Sequence, residues 1–450
     1  MAARSVVAQT LRVVPPMIPI PSSSLSRRRF VTRTVQAAAF TKLLSYAGPA
    51  WAVSPNEKLN IGCIGVANQG RYDLDNVAHE NVAALCDVDT NLLNAAGQKY
   101  SKARHFQDFR KMIDAGGLDA VTVGTPDHTH AVITATALRA GLHVYCEKPL
   151  ARSIGEVRKV TELARQTKRV TQIGTQIHGG ANYRRVVELI QSGAIGDVAE
   201  VHVWVGGGFG GKKRPSDTPP VPANLDYDLW LGPVEPRPYS PEYLPFNWRN
   251  WWVFGGGTLA DLGCHHMDLS HWALDLRTPE RVRIVDGPDP DPECPPTWLV
   301  AEYQYAARKN QPRVKLRWYH GNRRPPQFAA GLLPKWGNGT LFVGSKGMLL
   351  ADYDKRALLP EAKFADFKAP APFIADSKGH HREWTQACKT GGTPLCNFDY
   401  SGPLTEAVLL GNLAHRTGTE IVWDARHLRA QNCPAADEFI HARYRKGWSL

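Results

Sequence analysis

Between residues 59 and 174, short apolar runs recur with helical stretches between them. Residues 59–65 and 82–86 are apolar without alternation, the pattern of strands buried on both faces. Residues 119–124, 142–146 and 170–174 repeat it. Residues 91–101, 129–140 (closed by Gly141) and 154–166 carry the helical period. Strands alternating with helices of this length predict βαβ units around a parallel sheet. Beyond residue 176 the texture changes. Residues 183–192 form an amphipathic helix ending at Gly193, and 198–205 alternate like a strand with one wet face. Residues 299–305, 313–319, 339–343 and 348–351 predict antiparallel strands. Two proline-rich excursions interrupt them, one over 214–245 with nine prolines and one over 287–296. Long irregular segments of this kind are usually functional or disordered. The expected organisation is a leader (1–52), a parallel α/β domain (53–175) and a larger α+β domain on an open, mainly antiparallel sheet (176–450).

The composition narrows the function. The chain has 450 residues, 43% hydrophobic and 21% charged, which excludes a fibrous or disordered protein. No run approaches the roughly 18 apolar residues of a spanning helix, so stable membrane insertion is not expected. The formal charge of +12 suggests nucleic acid only until it is located. Residues 1–52 hold seven basic residues and no acidic ones, leaving +5 on the remainder. No basic stripe with interleaved aromatics follows, so no nucleic-acid partner is expected. Ser26-Arg27-Arg28-Arg29-Phe30-Val31, an apolar stretch over 35–52 and Ala50-Trp51-Ala52 match, in order, a twin-arginine signal and its cleavage site. The expectation is export in a folded state by the twin-arginine machinery to the periplasm or beyond. Eight cysteines are too few for a disulfide scaffold. Cys63, Cys86 and Cys146 fall in buried strands, while Cys388 and Cys396 are a possible pair.

The first strand runs into Gly65-Val66-Ala67-Asn68-Gln69-Gly70, a G-x-G-x-x-G pattern with alanine at its second glycine. Gly65 permits a tight turn, Ala67 a close approach of backbone to a pyrophosphate, and Gly70 close packing of helix on strand. The second strand ends at Asp87, 22 residues after Gly65. A carboxylate there suits the ribose hydroxyls of NAD and repels the extra phosphate of NADP, and Asp89 adds to that repulsion. Capping the next helix is the competing use of Asp87. Thr125-Pro126-Asp127-His128-Thr129-His130 and Glu147-Lys148-Pro149 lie at two further strand ends, where such sheets bind ligands.

These landmarks, followed by Gly255-Gly256-Gly257-Thr258-Leu259-Ala260-Asp261-Leu262-Gly263-Cys264-His265-His266-Met267-Asp268, resemble the Gfo/Idh/MocA oxidoreductases. Residues 404–412 resemble the exported branch of that family. The resemblance implies a Rossmann domain, NAD chemistry on sugars and other polyols, and a homo-oligomer. It implies that Lys148 hydrogen-bonds the reacting hydroxyl, that His265 is the acid/base and that Asp261 supports it. Gly65, Ala67, Asn68, Gln69, Gly70, Asp87, Thr125, Pro126, His128, His130, Glu147 and Lys148 are the cofactor-binding set it suggests. Tyr183, Trp251 and His266 are weaker substrate candidates. The chemistry agrees: oxidising an alcohol needs a base titrating near neutrality and a cation for the developing alkoxide. A metal at Asp261, His265, His266 and His271 is weighed and not expected, because no recognisable ligand spacing completes it. His380 and His381 are left undecided. Two other outcomes fit the same residues: an NAD-dependent glycosidase acting through a 3-keto sugar and elimination, and a cofactor-free exported sugar-binding protein.

Overall fold

The computed structural model describes residues 57–308 and 311–450. The twin-arginine pattern and the cleavage site lie outside the described residues.

Six parallel strands form the first sheet: β1 (Asn60–Ile64), β2 (Asn81–Cys86), β3 (Arg104–Phe106), β4 (Ala120–Val123), β5 (His143–Cys146) and β6 (Thr171–Ile173). Their order is β3-β2-β1-β4-β5-β6, that of a doubly wound dinucleotide fold. The chain reverses direction across the sheet between β1 and β4, so a crevice opens at their carboxyl ends. Helices cover both faces. That explains the unbroken apolar runs: Ile61, Cys63, Val121, Val123, Val144 and Cys146 are all fully buried.

The second sheet has nine strands in the order β13-β12-β11-β7-β10-β9-β8-β14-β15. They are β7 (Val198–Trp204), β8 (Arg281–Asp286), β9 (Leu299–Tyr305), β10 (Val314–His320), β11 (Gly339–Gly344), β12 (Gly347–Ala351), β13 (Arg356–Leu359), β14 (Ile421–Asp424) and β15 (Arg429–Ala430). All pairings are antiparallel except β7 with β10, which run parallel. Trp204, Tyr303, Tyr305, Trp318 and Phe342 are buried in this half. The helix Phe398–Thr417 packs both on Ile154–Thr167 of the first half and on Gly257–His266 of the second. One core therefore runs through both sheets. Among the described residues no helix is long and apolar enough to cross a membrane. All eight cysteines are free thiols, Cys388 and Cys396 included.

The excursion over 214–245 does not wander. Residues 224–226 lie along the end of β2: Thr90 N donates to Asn224 O at 2.9 Å and Asp226 N to Val88 O at 2.9 Å. The short helix Tyr227–Leu231 follows. Trp230, Tyr243, Trp251 and Phe254 then close a separate aromatic core.

Candidate active site

The turn after β1 depends on its glycines. Gly65 sits at φ +78°, and a Cβ on Gly70 would lie 2.2 Å from Gly65 O, so only glycine permits this contact of helix on turn. Ala67 precedes the helix Asn68–Val77 and gives no side-chain cap. The first amides of that helix are left for an outside acceptor, the arrangement that receives phosphate. Gly65, Ala67, Asn68, Asp87, Thr125 and Pro126 line a cavity of about 420 Å³ at the crevice. Asp87 accepts Val66 N at 3.0 Å on one carboxylate oxygen and Asp89 N at 3.0 Å on the other. The helix cap is Asp89, which accepts Asn91 N at 2.8 Å. Asp87 is thus held at the cavity wall, and burial raises its pKa.

His128 and His130, expected to shape the cofactor pocket, are withdrawn from it. Neither lines the cavity. His128 is fully buried and donates from Nε2 to Trp230 O at 2.7 Å, fastening the strap over 222–245. His130 lies between Pro149 O and Thr125 O, 2.7 Å from each, and so ties the ends of β4 and β5 together. Gln69 also turns inward, donating to Glu147 Oε1 at 3.1 Å. Glu147 accepts from Gln176 as well and lies near buried Asp73. Burial, with Asp73 beside it, pushes Glu147 up to about 8.

Lys148 and Asp261 meet. Lys148 Nζ donates to Asp261 Oδ1 at 2.6 Å and to Asp261 O at 3.0 Å. An ammonium has three donors, so one remains for a substrate oxygen. Arg249 Nε reaches the same Oδ1 at 2.8 Å. Burial opposes the carboxylate's charge, but Lys148 and Arg249 hold Asp261 down to about 2. Asp127 is also buried near these charges, and burial pushes it up to about 8.

His265 lies one helical turn beyond Asp261 on the helix Gly257–His266. Its Nδ1 has no hydrogen-bond partner among the described residues. That nitrogen is buried, while the residue lines a second, wider cleft of about 840 Å³ shared with Gln176, Tyr353, His380 and His381. Burial and then Lys148 hold the imidazole well below its usual range, so it is neutral at physiological pH.

The weaker substrate candidates do not face this cleft. Trp251 is fully buried, edge-on to Tyr243 at 4.8 Å, with its indole donating to Lys213 O. Tyr183 is buried under Tyr353. His266 stacks on Tyr353 and pairs with the Tyr353 hydroxyl at 3.1 Å. His271 is bound to Met267 O and Tyr305, so the four ligand types weighed for a metal diverge. His380 donates to Ile173 O and His381 to Asp73, and both stand at the cleft wall. Arg249 is the member that sequence reasoning missed. Its nearest signal was the aromatic stretch around it, and its guanidinium stacks 4.0 Å over Trp248.

Comparison with known proteins decides the family. Residues 59–175 match the model of an oxidoreductase family with an NAD-binding Rossmann fold, and residues 180–310 match its C-terminal alpha/beta domain. The chain belongs to the Gfo/Idh/MocA family. The cofactor of that fold is NAD, and the uncapped helix start, the glycine turn and Asp87 fit its pyrophosphate and ribose. Gfo/Idh/MocA relatives include inositol 2-dehydrogenase of Salmonella typhimurium, 30% identical over 150 residues, or 32% of this chain and 45% of that one. Myo-inositol 2-dehydrogenase of Thermotoga maritima is 26% identical over 172 residues, 38% of this chain and 48% of that one. The chain thus spans about half the length of the curated relatives it matches. Among solved structures, the WlbA dehydrogenase from Bordetella pertussis, in complex with NADH and UDP-GlcNAcA, superposes with TM-score 0.59 at 16% identity. That match covers 82% of this chain and 99% of that one. The aldose-aldose oxidoreductase from Caulobacter crescentus, complexed with glycerol, gives 0.54 at 18%, over 82% and 100%. At these identities the likeness is one of fold.

Proposed function

We propose that this Gfo/Idh/MocA protein is an NAD-dependent oxidoreductase acting on a CH–OH group of a sugar or sugar derivative, with its cofactor tightly held. The observation that carries the reading is the grouping of Lys148, Asp261 and His265: a paired ammonium with a donor to spare and, near it, a neutral imidazole whose buried Nδ1 has no partner among the described residues. NAD, when bound, accepts the hydride from the substrate carbon or returns it. The chain's own residues handle the proton. His265 takes the hydroxyl proton, for which its neutral state leaves it ready. Lys148 donates to the oxygen as negative charge develops. Asp261 aims the ammonium, and Arg249 fixes Asp261. The inositol dehydrogenases among the relatives support a polyol or sugar as substrate. Asp87 and Asp89 favour NAD over NADP.

In this reading the protein is exported by the twin-arginine route, carries its cofactor with it and forms a homo-oligomer. Outside the cytoplasm free NAD is scarce, so the cofactor must be regenerated in place. A second carbonyl sugar can do this in a ping-pong cycle. The same residues also suit an NAD-dependent glycosidase, in which the hydride returns to the sugar it left. The deciding experiment incubates the NAD-loaded protein with sugars and chromogenic glycosides in deuterated water. One NADH equivalent per site, renewed only by a second carbonyl sugar, is the expected result. Many turnovers of aglycone with deuterium at C2 and no net NADH would replace the oxidoreductase by the glycosidase. No reaction with any CH–OH substrate, and no dinucleotide bound, would leave a sugar-binding protein.

A further inference from the structure

The cavity at the Rossmann crevice has two walls of different origin. One is the expected one, built from the ends of β1, β2 and β4. The other comes from outside that fold: Leu225, Trp230, Tyr239 and Leu244 of the strap, and Trp448 near residue 450. The second wall is fastened rather than draped. Asn224 Nδ2 donates to Asp89 at 2.8 Å, and His128 holds Trp230 O. The tail is fastened to the strap in turn. Arg445 N donates to Pro233 O at 3.0 Å, its Nε to Gly232 O at 2.6 Å and its Nη2 to Asp228 O at 2.7 Å. Tyr444 OH donates to Glu156 at 2.6 Å, anchoring the same tail to the helix Ile154–Thr167. Trp448 then lies against Phe109, 6.2 Å between ring centres, with the Arg110 guanidinium 4.7 Å over its ring.

We infer that the strap and the tail form a clasp over the adenosine end of the dinucleotide, with Trp448 as a wall for the adenine ring. The inference rests on the NAD reading and adds to it the residues that retain the cofactor. Leu92, Gln107 and Phe109 follow β2 and β3, on the far side of Asp87 from the glycine turn. Asp87 faces the ribose, so the space beyond it, walled by Trp448, Phe109 and Leu92, receives the base. A flat neutral ring suits aromatic and aliphatic walls, where stacking adds to area burial. The dinucleotide then leaves only when the tail lifts, which slows its dissociation.

The test measures NAD dissociation from the loaded full chain by chase with labelled NAD, and ADP-ribose affinity by titration. Arg445→Ala frees the tail, Trp448→Ala removes the wall, and Lys446→Ala is an exposed control in the same segment. The expected result is release at least tenfold faster in the first two variants and unchanged in the control. ADP-ribose affinity should fall in parallel, since that ligand keeps the adenosine and lacks the nicotinamide. Melting temperature without ligand checks that each variant is folded. If Trp448→Ala fails to fold, Arg445→Ala carries the test alone. Unchanged release in folded variants overturns the clasp and leaves the NAD reading intact. So does a loss of NAD affinity without loss of ADP-ribose affinity, which moves the contact to the nicotinamide end. A wild-type chain that binds no NAD at all overturns both.

Discussion

At the scale of single residues, the charge held by Asp261 organises the site. Both Lys148 and Arg249 reach its Oδ1, so removing one cation leaves the other. Lys148→Met should therefore cost less stability than the roughly 3–5 kcal/mol of an unpaired buried charge. Its effect should fall on turnover instead: Lys148→Met and His265→Ala should each lower kcat by on the order of a hundredfold or more, with NAD still bound. Steady-state kinetics beside an NAD titration check this. Near wild-type activity in either variant removes that residue from the proposed chemistry. Because burial and Lys148 depress the pKa of His265, the acid limb of the kcat profile should lie below the usual histidine range. Glu147 gives the opposite pH signature. Its pKa is raised to about 8 by burial and by Asp73, so the folded state holds this proton more tightly than the unfolded chain. The stability it contributes is complete below the ordinary carboxyl range and is lost as pH rises through about 8. Melting temperature should fall over that window, and Glu147→Gln, which mimics the neutral acid, should flatten the fall. The two motifs marked Lys148 and Asp261 but not their pairing: Asp261 was expected to support His265, and its carboxylate instead accepts from Lys148 and Arg249. Arg249 was not legible, since an arginine among aromatics has no spacing that marks it as a partner of Asp261.

At the scale of elements, the strands of the first sheet were readable because burial on both faces leaves apolar runs that nothing else explains. The helix expected over 91–101 is Thr90–Lys99, a shift set by Asp89 as its cap. The strand β3 and the helix Phe109–Asp114 were not read, because three exposed or half-exposed residues and fewer than two helical turns carry almost no periodicity. The histidines after β4 misled for a physical reason. A motif at a strand end points to ligand, but His128 and His130 use their ring nitrogens on backbone carbonyls that hold neighbouring segments. Trp251, the aromatic among the weaker substrate candidates, is core instead, since an indole suits a sugar face and a core equally. The glycine turn offers a sharp check. A methyl at Gly70 meets backbone, which cannot rotate away, so Gly70→Ala should cost about 1–3 kcal/mol and weaken NAD binding together. Denaturant melts and titration of the same sample test it. Unchanged stability would mean the turn is softer than its contacts imply.

At the scale of the whole molecule, the two sheets share one core but divide the labour. The first sheet supplies the crevice and Lys148, while the helices covering the second bring Asp261 to Lys148 and His265 to the wider cleft. Denatured protein purified after cytoplasmic loading should release about one dinucleotide per chain, identified by mass and absorbance. Asp87→Ala should relax the discrimination against NADP, and an unchanged preference would show that Asp87 does not reach the ribose. The order of the nine-stranded sheet was beyond the reach of pattern alone. β7 lies between β10 and β11, whose residues come more than a hundred positions later in the chain. Periodicity reports which residues are buried, not which distant strand buries them.

The position of Trp448 bears on the order in which this protein is made. The crevice residues through Pro126 leave the ribosome early, and their parallel sheet is complete by residue 173. The tail that closes the same cavity is translated last of the described residues. On the clasp proposal, a chain made only as far as the parallel sheet still lacks the Trp448 wall, and a dinucleotide that enters its crevice is free to leave. If the clasp holds, the wall that retains the cofactor is added only once Trp448 has been made, which sets capture after the folding of the parallel sheet rather than during it.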